Sequence, residues 1–132
     1  MAHRTRQLEE LARRDQLTGL YNPRALRELL NRDLAHARRR GRPLSLVYFD
    51  VDDFKDVNDS FGHAAGDELL RQISSLLIGQ IRSRDTLARL GGDEFAVLME
   101  RIRDRNAIAR LAERIIRAFE KPFTIEGRQL HI

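Results

Sequence analysis

Apolar residues recur at helical spacing behind Asn22-Pro23: Leu26, Leu29, Leu30, Leu34 and Ala37 share one side of a 3.6-residue period. With Asn as cap and Pro in the first turn, residues 23–40 are expected as an amphipathic helix that Gly41-Arg42-Pro43 ends. Leu44–Val51 is a nearly continuous apolar run rich in strand formers, which predicts a central strand buried on both faces. A short helix is expected over about Asp53–Asp59, and Leu69, Leu70, Ile73, Leu76, Leu77 and Ile81 mark a longer one over roughly 65–81. Thr86–Leu90 and Ala96–Met99 flank Gly91-Gly92 as the two arms of a hairpin. A further helix carries Ile108, Leu111, Ala112, Ile115, Ile116 and Phe119 up to Pro122. Phe123–Ile125 and Leu130–Ile132 look like strand pieces around a turn at Glu126-Gly127. The order predicts an α/β fold, an α+β sandwich of helices on one mixed sheet. Ahead of it, residues 1–14 read as a signalling-type helix with Leu8 and Leu11 on one face, like the last turns of a longer helix from an upstream domain.

Composition narrows the setting. At 132 residues the chain suits one domain, and no apolar run approaches the roughly 18 residues of a membrane helix. It has no cysteine, which excludes disulfides and thiolate metal sites and fits a reducing, cytoplasmic environment. The net charge of +4 would suit a nucleic-acid binder, but only Arg38–Arg42 is dense and aromatic residues make up 6%. Phosphate-bearing small molecules explain excess arginine equally well.

Three stretches could carry chemistry. Gly91-Gly92-Asp93-Glu94-Phe95 gives a hairpin tip bare of side chains and then doubly acidic, suited to a nucleotide lying on backbone with Mg²⁺ beside its phosphates. An ordinary turn with solvated acids is the alternative. Asp50-Val51-Asp52-Asp53-Phe54-Lys55 lies where a strand ends and a helix begins, where ligands of α/β folds gather. There Asp50 could offer its carboxylate, and the Val51 carbonyl, to a metal, while Lys55 and the helix amides suit phosphate. Asp52 and Asp53 read more simply as helix caps. Asn58 and Asp67, spaced around Gly62-His63 and Gly66, could read a guanine edge or merely build a turn between helices.

In order and spacing, Asp50–Lys55, Asn58, Gly62-His63, Gly66-Asp67 and Gly91–Phe95 resemble the GGDEF-domain family, the diguanylate cyclases, and Asp15–Asn22 resembles that family's N-terminal signature. The resemblance covers residues 15–132. It implies a fold akin to nucleotidyl cyclases and polymerase palms, and a reaction in which two GTP condense to cyclic di-GMP and two pyrophosphates across a homodimer. By the same resemblance Asp50, the Val51 carbonyl and Asp93 hold Mg²⁺ (or Mn²⁺), with Glu94 near a second ion and Asp93 or Glu94 available as base. Asn58 and Asp67 read guanine, Lys55 and the amides around Asp53-Phe54 hold phosphate, and Gly91-Gly92 let the nucleotide approach the backbone. Arg82 and Asp85, an Arg-x-x-Asp just before the hairpin, resemble the family's inhibitory site for cyclic di-GMP; alone they would be a surface ion pair.

Two departures stand out. Pro23 replaces an Arg common in the N-terminal signature, and the family continues past Leu130-His131-Ile132 through a core strand, a helix and a Lys/Arg segment that grips terminal phosphates. The expectations are therefore a cyclase fed by an upstream sensory domain or, because that segment is missing, a weak or silent module that binds GTP or cyclic di-GMP. Nucleic-acid binding has no motif behind it.

Overall fold

The computed structural model describes residues 12–100 and 105–132. Helix α1 (Pro23–Arg40) begins where the sequence places it: the Asn22 side chain accepts the Ala25 amide at 2.9 Å, and Gly41 closes the far end. Strand β1 (Leu44–Asp50) leads into α2 (Phe54–Phe61) and α3 (His63–Ile78). The hairpin β2 (Thr86–Gly91) and β3 (Glu94–Glu100) follows, then α4 (Asn106–Phe119) and the small hairpin β4 (Phe123–Ile125) and β5 (Arg128–Leu130). The N-terminal helix expected over 1–14 lies outside the described residues except for 12–14, which form a turn and, at Arg14, a bridge to Tyr21.

β3 is the middle strand of a sheet ordered β1-β3-β2, antiparallel to both neighbours. A parallel bridge between Tyr21 and Ala88 gives the sheet its mixed character. Every residue from Phe95 to Met99 is buried, because the two faces of β3 meet two separate apolar layers. Phe95, Val97 and Met99 join α3 and α4 in the larger core, while Ala96 and Leu98 pack with Ala88 against Leu26 and Leu29 of α1.

That placement corrects the reading of Leu44–Val51 as a central strand. β1 is an outer strand among the described residues, and its burial alternates. Val47 and Phe49 face the larger core, whereas Leu46 and Tyr48 are 47% and 56% exposed. Its apolar run is continuous in sequence only because exposed positions also carry apolar residues. An apolar groove of about 540 Å³ runs between β1 and α4, lined by Val47, Phe49, Ile115, Ile116, Phe119 and Ile132.

Smaller corrections have local causes. On α1 the buried positions are Ala25, Leu26, Leu29 and Asp33, and Leu34 is exposed. The Asp33 side chain is 5% exposed, and its carboxylate pairs with the neighbouring Arg32 at 3.3 Å. The long helix spans 63–78 rather than 65–81: Gly79 is its C-cap, and Ile81 packs on the core from outside the helix. In the β4–β5 hairpin both Glu126 and Gly127 have positive φ, the two-residue turn that pairs Ile125 with Arg128. The second arm therefore starts at Arg128, not Leu130.

Candidate active site

The sheet brings the two acidic stretches together at one end. Asp50, the last residue of β1, lies opposite Glu94, the first of β3. One residue further, the Val51 amide donates to the Asp93 carbonyl at 3.0 Å and fastens the start of the β1–α2 loop to the hairpin turn. Gly91, which ends β2 opposite Glu94, and Gly92, which makes the turn with Asp93, have φ of 152° and 48°, values that side chains resist, and Leu90 is the extra residue of a bulge in β2.

Asp50, Asp93 and Glu94 thus share one sheet end, and among the described residues none of them is in an ion pair. Tyr48 registers their field. It stands two residues before Asp50 on the same strand face. The neighbouring Glu94 carboxylate, with the charges of Asp50 and Asp93, pushes its phenol above the ordinary 10. Asp50 is exposed at the end of its strand. Among the described residues no three His, Asp or Glu side chains form a ready cage for a metal. The donor set nonetheless fits Mg²⁺, which commonly takes one or two carboxylates and completes its shell with water and substrate phosphate.

Past Val51 the chain turns sharply. Asp53 sits at the cap position of α2 with φ of 64°, and its side chain makes no capping bond, contrary to its reading as a helix cap. The first amides of α2 therefore have no side-chain cap and face an anion-binding position in the sense of any open helix start. The Phe54 side chain belongs to the core, leaving only its amide for a ligand, while Lys55 is exposed. Asn58 on α2 and Asp67 on α3 belong to helices in direct contact; Asn58 is half-buried and Asp67 exposed.

Arg82 and Asp85 lie at the opposite end of β2 and are engaged with each other. Arg82 donates from Nη2 at 2.7 Å and from Nε at 3.1 Å, its backbone N–H adds a bond at 2.9 Å, and Nη2 also reaches the Glu100 carbonyl at 3.0 Å. The Asp85 side chain is only 1% exposed, so the carboxylate is fully used by Arg82. The ion-pair alternative is the state in this structure.

Two residues of the site escaped sequence reading. Tyr48 looked like one more apolar strand residue; its period-two offset from Asp50 was the available signal. Arg89 donates to the Gly92 carbonyl from Nε at 3.0 Å and Nη2 at 2.9 Å, and to both oxygens of Asp15 at 3.1 Å. It ties the Gly-Gly turn to the Asp15–Asn22 segment, where Asp15 also accepts the Thr18 hydroxyl and amide. No local pattern links positions 74 apart.

Residues 12–132 match the family described as diguanylate cyclase, GGDEF domain. The chain belongs to the GGDEF family. Diguanylate cyclase DosC of Escherichia coli is 45% identical over 107 residues, 81% of this chain and 23% of DosC. Cyclic di-GMP phosphodiesterase NbdA of Pseudomonas aeruginosa is 38% identical over 128 residues, 97% of this chain and 16% of NbdA. The coiled coil and GGDEF domain of DgcB from Caulobacter crescentus, solved with c-di-GMP, superposes with a TM-score of 0.90 at 27% identity, over 98% of this chain and 68% of that one. The GGDEF chain thus spans less than a quarter of the length of these curated relatives. Among its described residues no helix is long and apolar enough to cross a membrane.

Proposed function

We propose that this GGDEF domain is a diguanylate cyclase: two GTP molecules, one on each subunit of a homodimer, condense to cyclic di-GMP with release of two pyrophosphates. The observation that carries the reading is the joining of the Asp50–Val51 and Asp93–Glu94 stretches by the Asp50–Glu94 register and the Val51–Asp93 hydrogen bond. Each 3′-hydroxyl attacks the α-phosphorus of the other GTP, a P–O bond forms, and the bond to pyrophosphate breaks. Asn58 and Asp67 hold guanine, Lys55 and the uncapped α2 amides hold phosphate oxygens, and Gly91-Gly92 keep the hairpin tip clear. Asp50, the Val51 carbonyl, Asp93 and Glu94 hold Mg²⁺ or Mn²⁺, two ions per site. Bound there, the ions lower the pKa of the attacking hydroxyl and offset phosphate charge. Asp93 or Glu94 takes the proton.

Product binding at Arg82 and Asp85 belongs to the same reading, and the DgcB structure with c-di-GMP favours it. The folded pair adds a requirement: Arg82 must swing off Asp85 before that carboxylate can accept from a guanine edge. A second reading, nucleotide binding without turnover, is favoured by NbdA, a relative named for phosphodiesterase rather than cyclase activity. Incubating the protein with GTP and Mg²⁺ and chromatographing the products separates the two. Cyclic di-GMP that disappears in Asp93→Ala supports the cyclase; GTP binding with no product supports the silent module.

A further inference from the structure

Gly66 occupies the first turn of α3, buried, one residue before Asp67. Glycine weakens a helix, and at this position it needs a reason. The reason stands opposite, on α2. A Cβ built on Gly66 would fall 2.9 Å from Asn58 Cγ and closer still to Asn58 Oδ1, an overlap that cannot stand unless something shifts. Exchanging the amide's oxygen and nitrogen does not relieve it, because either atom would occupy the same place. The Asn58 carboxamide therefore lies directly on the bare α-carbon of Gly66. It makes no hydrogen bond among the described residues, so its polar edge is held by shape and left available.

We infer that Gly66 is a positioning residue for base recognition: the missing side chain is the socket that seats the Asn58 carboxamide beside Asp67. The inference rests on the proposed guanine reading. It adds the device that fixes the amide without consuming its hydrogen-bonding groups. Two contacts lock the same corner, Gly62 N–H to the Asn58 carbonyl at 2.9 Å and Gly66 N–H to the Gly62 carbonyl at 3.2 Å. With the backbone held at Gly62, the displaced partner in Gly66→Ala is the Asn58 side chain.

The test is a double-mutant cycle of Gly66→Ala and Asn58→Ala, read by thermal unfolding and by calorimetric titration with GTP and with ATP. Thermal unfolding needs no nucleotide. With Asn58 present, Gly66→Ala lowers Tm; in the Asn58→Ala background the same change raises it, as alanine does in an unobstructed helix. In titration Gly66→Ala weakens GTP about tenfold, the worth of roughly one well-placed hydrogen bond, and shrinks the preference for GTP over ATP. Once Asn58→Ala has removed the amide, it changes neither. A rise in Tm with Asn58 present, or unchanged GTP affinity and preference in Gly66→Ala, overturns the socket. A wild-type protein that binds GTP no better than ATP overturns instead the guanine reading on which it rests.

Discussion

Arg89→Ala removes the contact that joins the hairpin turn to the Asp15–Asn22 segment, and its cost follows from the geometry. The guanidinium makes two bonds to the Asp15 carboxylate and two to the Gly92 carbonyl, with Arg89 14% and Asp15 21% exposed. An exposed pair would be worth about 0–1 kcal/mol and a fully buried one about 3–5 kcal/mol when broken. At this intermediate burial the loss is about 2 kcal/mol, or about 8 °C in Tm for a domain of this size. The neutral variant Asp15→Asn should lose less, and the cycle of the two should show a coupling of about 1 kcal/mol.

Acid supplies an independent check. Burial raises the Asp15 pKa, but the Thr18 hydroxyl and amide and the Arg89 guanidinium outweigh it and hold the folded value below 3.8. A depressed folded pKa stabilises the protein fully above the unfolded value and loses that contribution as pH falls through the folded one. The Tm gap between wild type and Arg89→Ala should therefore be widest near neutrality and narrow below about pH 3.8 as Asp15 takes its proton. Circular-dichroism melts from about pH 7 to about pH 3 measure both quantities. Additive effects of Arg89→Ala and Asp15→Asn, with a gap that ignores pH, would refute the reasoning.

Three further outcomes are expected. Phe95→Ala empties a fully buried position stacked on Phe49 at 5.9 Å between centroids, and should cost about 4 kcal/mol as a lower urea midpoint at unchanged slope. Asn22→Ala deletes the α1 cap to Ala25 and the 2.7 Å bond to the Ala12 carbonyl, and should cost about 1.5 kcal/mol by thermal melt. Asp50→Asn removes one of three carboxylates gathered around Tyr48, so Tm should hold or rise, and on the proposed cyclase reading Mg²⁺-dependent formation of cyclic di-GMP from GTP should be lost on chromatography.

Local signals were legible where the chain interacts with itself over a few residues. Asn22-Pro23 announced α1, Gly91-Gly92 the hairpin, and Glu126-Gly127 the small turn, because cap and turn chemistry is written within about four positions. Asp50, Val51, Asp93 and Glu94 could be named as candidates from acids beside a strand end and a glycine turn, read together with the resemblance to the GGDEF family. Whether they met was not legible. Their meeting depends on β1 pairing with β3, and strand order is set by long-range packing rather than by composition.

The same limit explains the errors. β1 read as central because its residues are apolar, yet among the described residues it pairs only with β3, which has packed layers on both faces. Leu34 read as core by period, yet the helix docks with Asp33 buried and Leu34 exposed. By itself the sequence determined the elements, the turns and the inventory of carboxylates, amides and cations, since these depend on local dihedral preference and side-chain chemistry. Only the tertiary structure decided which strand is enclosed, that Arg82 covers Asp85, that Arg89 spans to Asp15, and that Asn58 rests on Gly66. Each of these joins residues whose proximity is produced by folding, through packing and hydrogen bonds that no single segment contains.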